Sequence, residues 1–213
     1  MSDGQAGHVQ APPRRGRPGY DLESLLAIAV TVFNERGYDG TSMEDLSRRL
    51  GISKSSIYYH VDSKEDLLAL ALDRALDGLF AAAAEVTAND EPAIERLERL
   101  VRGSVAVLAD RLPYVTLLLR ARGNTHTERR ALARRRQFDD IVADLVKQAE
   151  LDGDIRPDVD PAITARLLFG LVNSLVEWYR PTSDTEAARR LADAVCAVAF
   201  DGLRIRRAPA IER

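Results

Sequence analysis

The stretch TSMEDLSRRLGISKSSIYYHVDSK, residues 41–64, decides the fold. Thr41 followed three places on by Glu44 reads as a capping box that starts a helix. Met43, Leu46 and Leu50 recur at helical spacing, Ser47 is small enough for a second helix to cross closely, and Gly51 supplies a turn conformation that most residues resist. Ser53 caps the next helix, and Ile52 and Ile57 anchor it on the same core. Its outward residues are Lys54, Ser55, Ser56, Tyr58, Tyr59 and His60, a set of donors without an acid. A short, donor-rich second helix suits a DNA groove lined by phosphates, base acceptors and thymine methyls. The spacing alone also fits an ordinary helical hairpin with a polar outer face.

The stretch closely resembles the TetR family of transcriptional regulators, through the Thr41-Ser42 start, the Gly51 turn, Ser-Lys-Ser-Ser-Ile-Tyr-Tyr-His over 53–60 and Ser-Lys-Glu-Asp-Leu-Leu over 63–68. Two positions depart from the family's habit: Ser47 stands where it usually has Ala, and Val61 where it usually has Phe. The resemblance implies an all-α protein with a three-helix, helix-turn-helix DNA-binding domain ahead of a larger helical domain for ligand binding and dimerisation. It carries DNA contacts onto Thr41, Ser42, Ser53, Lys54, Ser55, Ser56, Tyr58, Tyr59, His60 and Lys64, the last placed near a phosphate at a helix N-terminus. It also implies a repressor released from DNA by a small molecule.

Composition bounds the alternatives. The 213 residues bury a sizeable core and carry 6% aromatics, a helix-friendly balance. The net charge is −3, and residues 1–64 hold eight basic side chains against eight acids, so any attraction to DNA is a matter of placement. No apolar run is long enough for a membrane span, and the start lacks the order of a secretion signal, which predicts a cytoplasmic protein. Cys196, the single cysteine, excludes an internal disulfide and a cysteine metal cluster, and its apolar neighbours suggest a buried, inert thiol. The three histidines, His8, His60 and His126, stand apart with no converging nucleophile or phosphate loop, so neither an enzyme nor a metal or organic cofactor is expected.

In chain order, residues 1–20 read as a disordered arm whose Arg14, Arg15 and Arg17 either enter a minor groove or stay solvated. Asp21 caps a helix with one apolar stripe, which braces the hairpin and completes a domain over 21–66. Ser63 and Asp66 restart the chain as a long Ala/Leu helix, a mechanical link into a second domain over 67–206, with a tail at 207–213. A stripe from Ile94 to Leu108 stops near Pro113, a short apolar helix follows, and Thr125 with Glu128 opens a long helix carrying Arg129, Arg130, Arg134, Arg135 and Arg136. That cluster reads as a solvated face or as an anion-binding mouth.

The second domain's candidate pocket residues are Val101, Leu118, Phe138, Val142 and Phe169, with Asn124, His126 and Asn173 as polar handles. They point to an apolar or amphipathic effector, an acyl-coenzyme A thioester among the options. The last two helices are apolar on two sides each. A soluble helix needs one stripe to pack on its own domain, so a second implies a partner surface. Leu167, Leu171, Ser174, Leu175, Trp178, Val195, Val198 and Gly202 are the expected interface of a homodimer, in which two heads meet a palindromic operator. A dimeric helical scaffold without sequence-specific DNA binding is the competing reading, and it leaves the acid-free face of residues 54–60 unexplained.

Overall fold

The computed structural model describes residues 21–88, 90–182 and 184–203; the arm of residues 1–20, with Arg14, Arg15 and Arg17, and the tail at 207–213 lie outside them. Asp21 caps α1 (Leu22–Arg36) by accepting the Ser24 amide at 2.8 Å. The apolar stripe of α1 is buried, and Gly37 closes the helix at φ 80°, a left-handed conformation that costs a residue with a Cβ about 1 kcal/mol or more.

The next cap sits one residue later than the sequence suggests. Ser42, rather than Thr41, opens α2 (Met43–Leu50): its hydroxyl accepts the Asp45 amide at 3.1 Å, and the Asp45 carboxylate takes the Ser42 amide at 3.0 Å. Both overlapping patterns satisfy the capping rule. The later one wins because it lets Thr41 drop into the core, 2% exposed, with its hydroxyl donating to the Gly37 carbonyl at 2.8 Å. Gly51 then turns the chain at φ 67°, and Ser47 donates to the Ile52 carbonyl at 2.6 Å, which gives the hydroxyl that replaces the family's alanine a job in the turn. Ser53 caps α3 (Lys54–Tyr58) by accepting the Ser56 amide at 3.2 Å, and Ile57 plugs the core completely. Val61 remains in its apolar slot, 7% exposed.

Ser63 opens α4 (Lys64–Thr87), whose Leu67, Leu68, Ala71 and Leu72 pack under α1 before the helix runs on into the second half of the molecule. There α5 (Ala93–Asp110), α6 (Leu112–Arg120) and α7 (His126–Leu151) surround it. α5 stops at Asp110, just short of Pro113, and Pro113 lies in the first turn of α6, where a missing amide costs nothing. The capping box of Thr125 and Glu128 forms as read, and Glu128 also accepts the Asn124 amide at 2.7 Å. Asp160 caps α8 (Pro161–Trp178) ahead of a proline at the first helical position. At the start of α9 (Thr185–Leu203), the Asp184 carboxylate accepts the Glu186 amide at 2.9 Å.

The double stripes of α8 and α9 resolve into one buried and one exposed face each, with two residues changing sides. Leu175 and Val195, expected at a dimer interface, are 1% and 5% exposed and belong to the core of the chain itself. At 100° per residue Leu175 falls within about 20° of Leu168 but about 80° from Leu167, so it turns inward with Leu168 and Val172. Leu167, Trp178 and Val198 stay outside at 66%, 59% and 71% exposure, Ser174 and Gly202 lie beside them, and Leu171 is half-buried.

Where α4 crosses α5, Gly78 has no room for a side chain: a Cβ there would stand 2.9 Å from a Val107 methyl and 3.1 Å from the Arg111 guanidinium. Valine χ1 is stiff, so the neighbour cannot step aside cheaply. Gly78→Val is expected to lower the free energy of unfolding by about 1 to 3 kcal/mol, read by chemical denaturation.

Candidate functional site

The outer surface of α3 carries Ser53, Lys54, Ser55, Ser56, Tyr58 and Tyr59 in solvent, with His60 half-buried behind them. Tyr59 is 86% exposed, with its ring edge-on to His60 at 5.2 Å. An aromatic ring held out on a capped, core-anchored helix is positioned for a partner rather than for its own fold. The serines are donors of short reach, and Ser56 and Ser53 share a hydrogen bond at 2.9 Å that sets their rotamers.

Three site residues read from the sequence behave differently from expectation. Thr41 is buried and its hydroxyl is spent inside the head, so it offers no side chain to DNA. Lys64 is half-buried: its ammonium donates to the Tyr38 carbonyl at 2.9 Å and the Thr41 carbonyl at 2.7 Å while standing 4.1 Å from the centre of the Tyr38 ring. It pins the loop between α1 and α2 onto α4 instead of reaching outward for a phosphate. Lys54 is exposed but not free of acids, since Glu44 of α2 folds across to meet it at 2.5 Å. Their shared hydrogen bond holds the Glu44 carboxyl below and the Lys54 ammonium above their ordinary values. Such a solvent-exposed pair is weak and exchanges readily for a phosphate. Freed from the N-cap role by the one-residue shift, Glu44 was the residue whose part in this face could not be read.

Behind the head, a small, partly enclosed, mostly apolar cavity of about 30 Å³ lies between α4, α5, α6, α7 and α8. Leu118, Phe138, Phe169 and Asn173 are in its lining, joined by Val115, Arg135 and Asp139. Val101 and Val142 are fully buried outside its wall, and His126 is exposed at the first residue of α7. Asn124 instead lines a separate, open cleft of about 640 Å³ between the end of α1 and the loop after α6. The cavity's aromatic wall continues to α4: Phe169 meets Phe138 edge-on at 5.2 Å, and Phe138 meets Phe80 at 6.0 Å. The Arg134 guanidinium lies 5.3 Å from the Phe80 ring centre and pairs with Asp73 and Asp77, each at 2.8 Å.

The basic cluster of α7 therefore divides. Arg129 donates to the carbonyls of Gly123 and Asn124, and Arg130 and Arg134 pair with acids of α4. Arg135 and Arg136 remain toward α8. Asp139 is half-buried between them and Arg166, and burial raises its carboxyl above the ordinary range against the pull of Arg135. Cys196 is an inert thiol: burial pushes it up to about 11.

Helix α6 has two engaged sides. One lines the cavity through Val115, Leu118 and Leu119. The other grips the head at Asn34 of α1, whose amide nitrogen donates to the Pro113 carbonyl at 2.8 Å and whose carbonyl accepts from Arg120 at 2.8 Å. No three His, Cys, Asp or Glu side chains converge as a metal site among the described residues, and no described helix is long and apolar enough to cross a membrane.

A capped helical hairpin on a three-helix head, linked by one long helix to a larger helical body, defines the class of helix-turn-helix DNA-binding regulators. Comparison with known proteins narrows the class. Residues 25–71 match the bacterial regulatory proteins of the tetR family, and residues 90–203 match the tetracyclin repressor-like C-terminal domain. The chain belongs to the TetR family. It is 31% identical over 202 residues to the HTH-type transcriptional repressor KstR2 of Rhodococcus jostii, spanning 88% of this chain and 93% of that protein. Its fold superposes on SCO3833, a TetR-family member from Streptomyces coelicolor A3, with a TM-score of 0.80 at 57% identity, covering 86% and 92% of the two chains. AibR, solved in complex with isovaleryl coenzyme A and operator DNA, shares the fold with a TM-score of 0.70 at 24% identity, covering 84% of this chain and 97% of its own.

The role seen for Lys64 is testable. Lys64→Ala removes the ammonium that donates to the Thr41 carbonyl and leaves the Tyr38 carbonyl with the Thr41 amide alone, and it is expected to cost about 1 to 2 kcal/mol of stability in denaturant titration, with no operator present.

Proposed function

We infer that the chain is a ligand-responsive transcriptional repressor that grips a palindromic operator as a homodimer and lets go when an amphipathic effector enters the body. The observation that carries this reading is the double engagement of α6: the residues lining the cavity and the residues gripping Asn34 belong to one nine-residue helix. A molecule that widens the cavity has to displace α6, and α6 cannot move without working on α1. The scaffold reading gives no purpose to a cavity built against the head.

The reading head supplies the DNA side. Ser55, Ser56, Tyr58 and Tyr59 reach base edges and backbone, while Ser42, Ser53 and Lys54 sit where phosphates pass, and Lys54 exchanges Glu44 for one of them. Such a protein works in the cytoplasm, where bacterial DNA lies. One five-residue helix offers few contacts, so affinity comes from two heads on one duplex, spaced by whole helical turns.

The dimer follows from the outer faces of α8 and α9. Ile163, Leu167, Trp178 and Val198 are all more than half exposed on neighbouring helices, and they flank a shallow apolar groove that includes Leu171 and Gly202. Such a face is covered in solution by its own copy about a two-fold axis, as a four-helix interface.

The effector's chemistry is that of the cavity, apolar with a few polar groups at one rim. AibR holds an acyl-coenzyme A ligand within the same fold, and acyl thioesters are the class we assign to this cavity as well. At 30 Å³ the cavity admits water but not such a body, so the effector selects an opened form.

Two measurements test the reading. Lys54→Ala with Tyr58→Ala is expected to weaken operator binding roughly tenfold or more and to flatten its salt dependence, with the dimer unchanged by sedimentation; full retention of binding would favour the scaffold. Leu167→Glu is expected to turn a micromolar dimer into a monomer in sedimentation velocity, and a wild-type monomer at that concentration would remove the dimer.

A further inference from the structure

Asp139 of α7 lines two spaces at once. On one side is the small apolar cavity bounded by Phe138, Phe169 and Arg135. On the other is an open trough of about 370 Å³ between α7 and α8, walled by Arg136 and Arg166 and kept roomy by alanines, among them Ala143, Ala162 and Ala165. We propose that this trough is the head-group subsite of the effector: the apolar body passes Asp139 into the cavity, an anionic head stays among the arginines, and Asp139 selects effectors by charge. The proposal rests on the reading of the cavity as the effector site.

Three observations support it. Arg130 and Arg134, on the side of α7 that faces α4, are paired with carboxylates, whereas Arg135, Arg136 and Arg166 have none at ion-pair distance among the described residues. Arg136 and Arg166 wall the trough, with Arg135 in the cavity wall beyond Asp139, and guanidiniums without a close ion pair are a binding surface for phosphate or carboxylate. The trough also has the volume of a small-molecule site, while the adjoining cavity takes the apolar end in its opened form. Finally, Asp139 is half-buried with no hydrogen-bond donor, at the only wall the two spaces share, and its charge is tolerated there because Arg135 and Arg166 act on it. Its position makes it the resident anion that an incoming head replaces. The trough's own lining sets Arg136 and Arg166 against Asp139 and Asp140, a balanced count that neutralising Asp139 tips toward an anion.

The test uses three probes with a common eight-carbon body: octanoyl-coenzyme A, octanoate and octyltrimethylammonium. Their affinities for the full-length wild type, Asp139→Asn, Arg136→Ala with Arg166→Ala, and Leu118→Trp are measured by calorimetry, with unfolding midpoints confirming that each variant folds. Asp139→Asn is expected to tighten the coenzyme A thioester about fivefold and to loosen the ammonium. The double arginine variant is expected to weaken the thioester at least roughly tenfold, and octanoate less, because it brings one charge instead of several. This opposed pattern is not produced by a merely structural change at Asp139. Thioester binding that Leu118→Trp abolishes but the trough variants leave within twofold overturns the trough and keeps the cavity. Binding lost in the trough variants but indifferent to Leu118→Trp supports the trough and removes the cavity reading. No binding of either anionic probe to the wild type overturns the trough assignment.

Discussion

The reading head and the body are joined most directly at Asn34 of α1. Asn34 is held from both ends of α6, by the Pro113 carbonyl at its amide nitrogen and by Arg120 at its backbone carbonyl. Its side-chain oxygen, by contrast, is buried with no donor. An unmet buried acceptor costs about 1 to 3 kcal/mol, and fully folded interiors seldom keep one. Here it lies where α1 is hydrogen-bonded at two points to α6, a helix that walls the cavity. Deeper in the body, the Phe80 to Phe169 aromatic series and the acid pairs of Arg134 hold α7 against α4 and α8.

How much of the head was legible depended on how local the deciding physics was. Helix starts, the Gly51 turn and the buried positions of Leu46, Leu50 and Ile57 follow from neighbours a few places apart, and the structure has them where spacing puts them. The cap at Ser42 was not decidable from the pattern, because Thr41 and Ser42 both satisfy the same rule and only the burial of Thr41 separates them. Lys64, read as a phosphate contact, and Glu44, read as the capping partner of Thr41, differ for a related reason. Each is a charged side chain at a helix start, and each finds a partner more than five residues away, Tyr38 for one and Lys54 for the other. Long side chains spend their charge wherever the tertiary fold offers an oxygen or a cation, and helical periodicity carries no signal of that.

The body shows the same limit on a larger scale. Its helices, their order and the cap at Thr125 were readable, but the assignment of faces was not, because α5 and α7 pack on several neighbours at once. Five arginines in eight residues looked like a single patch. At 100° per residue they splay around the helix, so that Arg130 and Arg134 meet α4 while Arg135 and Arg136 turn toward α8. One patch becomes a tether and a mouth. The pocket residues sort the same way: Leu118, Phe138, Phe169 and Asn173 share a wall that sequence separation of up to fifty-five positions conceals, and Val101 and Val142 stand just outside it.

A cavity this small also constrains how release from DNA works on the mechanism proposed. An effector that bound the closed and opened forms equally would move nothing, however tightly it bound. Because the closed form has no room for it, nearly all of its affinity belongs to the opened form, and ~2.7 kcal/mol of that difference is enough to shift the head by a hundredfold in population. The tether between α7 and α4 must yield during that opening. Its members are surface pairs, Arg130 and Arg134 with Asp73 and Asp77, with side chains about one third to two thirds exposed. Pairs of that kind are worth little individually and re-form with small changes of geometry. A buried pair in their place would resist the slide of α7 along α4 and spend the effector's binding energy on breaking it. The same exposure that makes the tether a weak contributor to stability is what lets it serve as a sliding contact.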